Sequence, residues 1–266
     1  MNIEQVKEKL VSLYPQAPDF LLVFTGKMSK KVHGLYKPEE KEILIHNKNF
    51  TDDNQLIYAA IHEFAHHINH TMFGPIITAR SHTSKYQQIF HKLLKKAEEA
   101  NIYTNPYKKD KEFEILIKRI KKNFLQENGQ LMKELGGLLK EAHLLCIKHD
   151  LSFEDFVDRE LNIHRNTAKT IIRVHEMDIT PEIGYENMKL VSSIKDEEAR
   201  KEAEEAFMEG ESPDTVKGII SDSAKEKETD DPITKLQKEK EKIEKTIKNL
   251  NEKLDVIEKM IHDIHY

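Results

Sequence analysis

The stretch Leu56-Ile57-Tyr58-Ala59-Ala60-Ile61-His62-Glu63-Phe64-Ala65-His66-His67-Ile68 carries two patterns at once. Leu56, Ile57, Ala60, Ile61, Phe64, Ala65 and Ile68 recur at helical spacing, which makes one side of a helix apolar. His62 and His66 lie one turn apart on roughly the opposite side, so both imidazoles can reach one ion. With Glu63 they form H-E-x-x-H, in which the carboxylate stands beside the open coordination position of a zinc ion. Glu63 is then placed to act as general base and acid on a zinc-activated water. A helix with one face in a core and the other on a cleft, joined to the strands that precede it, predicts an α+β domain over residues 1–105.

Flanking residues extend this reading. Residues 1–15 form an amphipathic helix ended by Pro15 and Pro18. Phe20-Leu21-Leu22-Val23-Phe24 has the length and composition of a strand. Val32 to Tyr36 and Glu42 to His46 read as a β-hairpin around Pro38. Thr51 to Asn54 supply N-cap candidates for the H-E-x-x-H helix. A loop containing Gly74-Pro75 precedes a further helix from about Thr83 to Ala100.

Zinc needs a third protein ligand. His70 lies about 12 Å from His62 along a straight helix axis, too far to share the ion. His67 is about 100° off the ligand face. His82, which follows a chain-reversing loop, is the preferred third ligand, with Glu98 or Glu99 as the acidic alternative. His46 and His91 read as plain surface residues. One Zn²⁺ per chain is expected.

Helix, strand, β-hairpin, H-E-x-x-H helix, loop, then His82-Thr83-Ser84-Lys85-Tyr86 resembles the SprT-like (Spartan-like) zinc metalloproteases. Eukaryotic members of that family cut proteins crosslinked to DNA. The resemblance covers residues 1–100 and implies a zincin-like (SprT-like) fold for the domain over 1–105, His62, His66 and His82 as ligands and Glu63 as the catalytic acid/base. Thr83 stands where the family usually has Gly. The single cysteine, Cys146, leaves no place for the Cys-rich zinc ribbon that follows many such domains.

Residues 111–220 read as an all-α domain. Two helices, 112–124 and 131–149, are separated by a break at Asn128-Gly129, and the second turns Leu131, Leu135, Leu138, Leu139, Ala142 and Leu145 inward. The core, 131–176, has helix-turn-helix spacing: Ser152 caps a short helix, Asn162-Ile163-His164 turn, and a second helix follows. It resembles helix-turn-helix regions of phage and plasmid DNA-binding proteins. Its exposed set would be His164, Arg165, Asn166, Thr167, Lys169, Thr170 and Arg173, side chains suited to base edges and phosphates.

Residues 221–232 read as a flexible linker. Residues 233–266 hold a heptad repeat, with Ile233, Lys240, Ile247, Leu254 and Ile261 in one row. Leu236, Ile243, Leu250, Ile257 and Ile264 form the other. This predicts a coiled coil and a homodimer.

Charge and composition narrow the classes. The net charge of −5 conceals a −10 segment over 177–232 (7 basic, 17 acidic), while residues 1–110 carry +3 and 111–176 carry +1. A DNA partner is therefore compatible with the overall acidity. No apolar run reaches membrane-spanning length, no signal peptide is evident, and the cysteine usage suits a reducing cytoplasm. The expectation is a cytoplasmic zinc metallopeptidase acting on a protein or peptide substrate, DNA-associated, with no membrane partner. The alternative is a helix-turn-helix transcriptional regulator whose zinc domain senses, or acts as an ImmA/IrrE-like peptidase on repressors.

Overall fold

The computed structural model describes residues 1–74, 81–227 and 232–264. The loop expected after Gly74 and residues 228–231 of the expected linker lie outside the described residues, as do positions 265–266 of the expected coiled coil. The chain divides into two compact units, Met1–Ile220 and Ser221–Tyr266.

The first unit begins as α+β. Helix α1 (Ile3–Leu13) starts with a capping box between Asn2 and Gln5 and buries Val6, Leu10 and Leu13. Strands β1 (Leu21–Phe24), β2 (Gly34–Lys37) and β3 (Glu42–Ile45) form a sheet of order β1-β3-β2. β1 runs parallel to β3. β2 and β3 form the antiparallel hairpin, Gly34 opposite Ile45 and Lys37 opposite Glu42. Helix α2 (Asp53–Phe73) is capped by Asp52, which accepts from the Gln55 N–H. Helix α3 (Ser84–Glu99) is capped by Thr83, which accepts from the Tyr86 N–H. One core joins these elements, with Ile43, Ile45, Ile57, Ile61, Phe64, Ile68, Phe90 and Leu93 buried between sheet and helices.

From α4 (Pro106–Lys109) onward the unit is helical. Helix α5 (Lys111–Ile120) passes through a π-helical turn, Lys121–Gln126, into α6 (Glu127–Lys148). The break expected at Asn128-Gly129 is absent. Gly129 is instead a point of close approach, since a Cβ there would lie 2.6 Å from the Pro181 carbonyl oxygen. The inward assignment of the leucines also changes. Leu139 is buried and Leu135 and Ala142 are half-buried, but Leu131, Leu138 and Leu145 stand in solvent.

The turn of helix α7 (Phe153–Asp155), extended by a π-helical Phe156–Glu160, leads to α8 (Arg165–Glu176). Leu139, Val157, Ala168 and Ile171 form a small core where these helices meet. A 3-10 turn precedes α9 (Tyr185–Ser192), α10 (Glu197–Met208) and α11 (Pro213–Lys227). Val174, Met188, Val191, Phe207 and Val216 form a third core. His91 and Lys95 of α3 reach Ser212 (2.7 Å) and Glu211, which ties the first elements to the last helices of the unit.

Helix α11 continues through Lys227, so the first seven residues of the expected 221–232 linker are helical. Ala224 and the Lys and Glu residues there are good helix formers, and polarity alone did not reveal that. Helix α12 (Pro232–Ile264) is continuous, with Ile243, Ile247, Leu250, Leu254 and Ile257 exposed along it. Among the described residues no helix is long and apolar enough to cross a membrane.

Candidate metal centre

Helix α2 passes between the core and a cleft, and it presents His62 and His66 to the cleft one turn apart. The turn before α3 delivers His82 to the same point. The His82 Nε2 lies 3.2 Å from the His62 Nε2 and 3.2 Å from the His66 Nε2. One ligand atom from each of the three lies within 4.8 Å of the others, close enough to hold a metal ion. Of the acidic alternatives, Glu98 instead meets the Lys108 Nζ at 2.8 Å and Glu99 is exposed.

Tyr86 organises this cluster. Its hydroxyl lies 2.8 Å from the His62 Nδ1 and donates to the His62 carbonyl oxygen at 3.3 Å. It therefore accepts from an Nδ1–H, which leaves the His62 Nε2 lone pair directed at His82. The buried Tyr86 ring stacks on His66, with centroids 4.2 Å apart, and lies 4.7 Å from His82. Burial raises the tyrosine pKa, so the hydroxyl keeps its proton. Burial, with His82 nearby, lowers the His62 pKa to about 4. Burial, with His62 and His82 nearby, lowers that of His66 to about 3. Both rings are neutral near pH 7, the state that binds a cation.

Glu63 is buried at the edge of the cleft, and burial pushes its carboxyl up to about 7. The Tyr36 backbone N–H donates to it and opposes that shift. Strand β2 comes this close only because residue 34 is glycine. A Cβ there would sit 2.7 Å from the Glu63 Cγ. β2 is the edge strand beyond β3, and Gly34, Leu35 and Tyr36 form one wall of the cleft. Tyr58, Tyr103 and Tyr107 contribute aromatic surface to the cavity, whose volume is about 1180 Å³.

The other histidines separate cleanly. His67 is fully buried, with Nδ1 at 3.1 Å from the Tyr36 hydroxyl and Nε2 at 2.9 Å from the Pro18 carbonyl, so it holds helix to sheet. His70 lines the cleft edge-on to Tyr36. His46 and His91 are half-buried rather than plain surface residues. Each spends Nδ1 on a hydroxyl, Thr25 at 2.9 Å and Ser212 at 2.7 Å.

The helix-turn-helix residues gather at the start of α8. His164, Arg165, Asn166, Thr167, Lys169 and Arg173 are exposed, while Thr170 is half-buried. His164 caps α8 by accepting from the Asn166 N–H. Thr170 donates to the Asn166 carbonyl at 2.9 Å, and Arg173 reaches Thr170. Lys169 is paired with Glu154 at 2.7 Å.

Sequence reasoning missed the Tyr86 hydroxyl, the Gly34 approach and the Tyr36 N–H. The first had a signal in its position, four residues after His82. The other two depend on where the hairpin lands on α2, which no local spacing encodes. No family model, curated protein or solved structure matches this chain.

Proposed function

We propose that the protein is a zinc-dependent metallopeptidase that cleaves protein substrates, in the manner its SprT-like layout implies. The observation that carries this reading is the convergence of three imidazole Nε2 atoms beside a buried glutamate in an open cleft. Zinc fits the donor set. Three nitrogen ligands with a fourth position open are usual for a catalytic site, and tetrahedral Zn–N bonds of about 2.0–2.1 Å separate the nitrogens by about 3.3–3.4 Å. The two 3.2 Å separations agree with that spacing. Bound there, zinc would supply Lewis acidity toward a carbonyl oxygen and acidify a water molecule.

The protein's own groups do the rest. The free edge of β2 offers main-chain groups to an extended substrate, and the tyrosines of the cleft cover its side chains. Glu63 takes a proton as water adds to the scissile carbonyl carbon. It returns that proton to the amine nitrogen as the C–N bond breaks. Burial alone holds this carboxyl near 7, and a cation bound beside it would favour the carboxylate form that takes the proton. Residues 131–176 would bring the peptidase to DNA through α8, and α12 would pair two copies through its heptads.

One observation favours a second reading. The exposed polar set on α8 suits a DNA-binding regulator whose metal domain senses rather than cuts. Its ImmA/IrrE-like form expects an acidic third ligand, and His82 occupies that place. Metal analysis paired with Glu63→Gln separates the readings. About one zinc per chain should be retained in the variant, while hydrolysis of an unstructured test protein, measured with and without DNA, should fall by about 10²–10⁴-fold. Metal-free protein would remove the enzyme reading. Zinc with no hydrolysis under either condition would favour the regulator.

A further inference from the structure

Among the exposed apolar residues of α5 and α6, which also include Ile115, Ile117, Leu125, Leu144 and Ile147, seven follow a seam of their own. Residues 111–148 form one helix about 57 Å long. Phe113, Leu116, Ile120 and Phe124 follow one another at intervals of three, four and four. Leu131, Leu138 and Leu145 then continue from Phe124 at intervals of seven. A heptad seam alternates threes and fours, so the step from Ile120 to Phe124 is one residue too long. The π-helical turn Lys121–Gln126 lies at that step and accommodates about one extra residue. The second row then reads Phe113, Ile120, Asn128, Leu135 and Ala142, of which Leu135 and Ala142 are half-buried and Leu135 packs against the small core of the first unit. The sequence skip and the helical distortion compensate each other, and the seam stays continuous.

We propose that this seam is an interface between two copies of the chain, separate from the heptads of α12. The area fits. Phe113, Leu116, Ile120, Phe124, Leu131, Leu138 and Leu145 are each between 42% and 63% exposed. Together they present roughly 700 Å², within the share of one partner in an interface of standard size. Isolated surface leucines need no explanation, but a contiguous stripe of this size does. A single helical seam is self-complementary about a two-fold axis, so a second copy needs no other surface. Asn128, the exposed polar position in the seam, matches the single polar residue that fixes register in paired helices. The seam begins at Phe113, whose ring meets Tyr107 of the cleft at 5.3 Å. Pairing would therefore shield the helix that leaves the mouth of the metal site. The inference does not depend on metal or catalysis.

The test uses the full chain with Leu250→Glu and Leu254→Glu, which place charges in the α12 seam at exposed positions. Sedimentation equilibrium should still give twice the 31.1 kDa chain mass. Adding Leu131→Glu and Leu138→Glu should halve it, while far-UV circular dichroism and metal content remain those of the parent. A monomer before the second pair is added would overturn the proposal, because α12 would then be the whole interface. A dimer that survives all four substitutions would overturn it as well.

Discussion

Helices α2 and α6 are nearly equal in length, 21 and 22 residues, and both are rich in apolar side chains. Their fates differ. α2 buries eleven residues, from Leu56 to Asn69, and turns His62 and His66 to a cleft on its other side. α6 buries four, of which Gly129 and Gly136 are glycines, and it leaves Leu131, Leu138, Leu144 and Leu145 in solvent. Apolar spacing shows that a face must be covered. It does not show whether the cover is the same chain or another one. In α2 sheet, α1 and α3 close over the stripe. In α6 the apolar set is wider than the contact with α8 and α9 can use.

Truncating one apolar residue in each helix would sharpen this contrast most. Phe64 is fully buried, so Phe64→Ala should cost about 3–5 kcal/mol, read as a lower urea midpoint for the first unit. Leu138 is 62% exposed, so Leu138→Ala should lie within about 0.5 kcal/mol when measured at concentrations where the chain is monomeric. Any larger effect should emerge only as concentration rises and copies associate. Equal costs at low concentration would break the comparison and return Leu138 to an intramolecular core.

The same contrast explains how far the sequence could be read. The strands, the hairpin and the H-E-x-x-H helix were legible because each lies within a few residues of its own signal. His82 was legible by elimination, since no other histidine was both off the α2 helix and beside a reversing turn. The relation of Glu63 to Gly34 and Tyr36 was not, because it arises from the hairpin crossing α2 at long range. Leu135 and Leu139 do turn inward, but Leu131, Leu138 and Leu145 were misassigned because their spacing satisfies an inward helical stripe as well as an outward heptad. Asn128-Gly129 read as a break, since neither residue favours helix interiors. The close approach of Pro181 outweighs that preference.

A smaller effect is expected at the contact that makes the metal side of α2 specific. Tyr86→Phe keeps the ring that stacks on His66 and removes the hydroxyl that meets the His62 Nδ1. An imidazole N–H left without its partner no longer fixes the tautomer. Loss of such an orienting contact typically weakens metal binding by about 10–100-fold. Competition with a chromophoric chelator measures this directly, and the urea midpoint of the metal-free protein reports any change in packing. Unchanged affinity would mean that α2 alone orients His62.

The smallest expected effect concerns Thr83, the position that departs from the SprT-like pattern. Its hydroxyl accepts from the Tyr86 N–H at the start of α3, directly after His82. Thr83→Ala removes that cap and should cost about 1 kcal/mol, whereas Thr83→Gly should cost only a few tenths. The two substitutions therefore separate capping from shape. If the cap also steadies the turn that carries His82, metal affinity should fall more in the alanine variant than in the glycine variant. A metal affinity that ignores both changes would show that His82 is held by its contacts with His62, His66 and Tyr86, leaving Thr83 with helix stability alone.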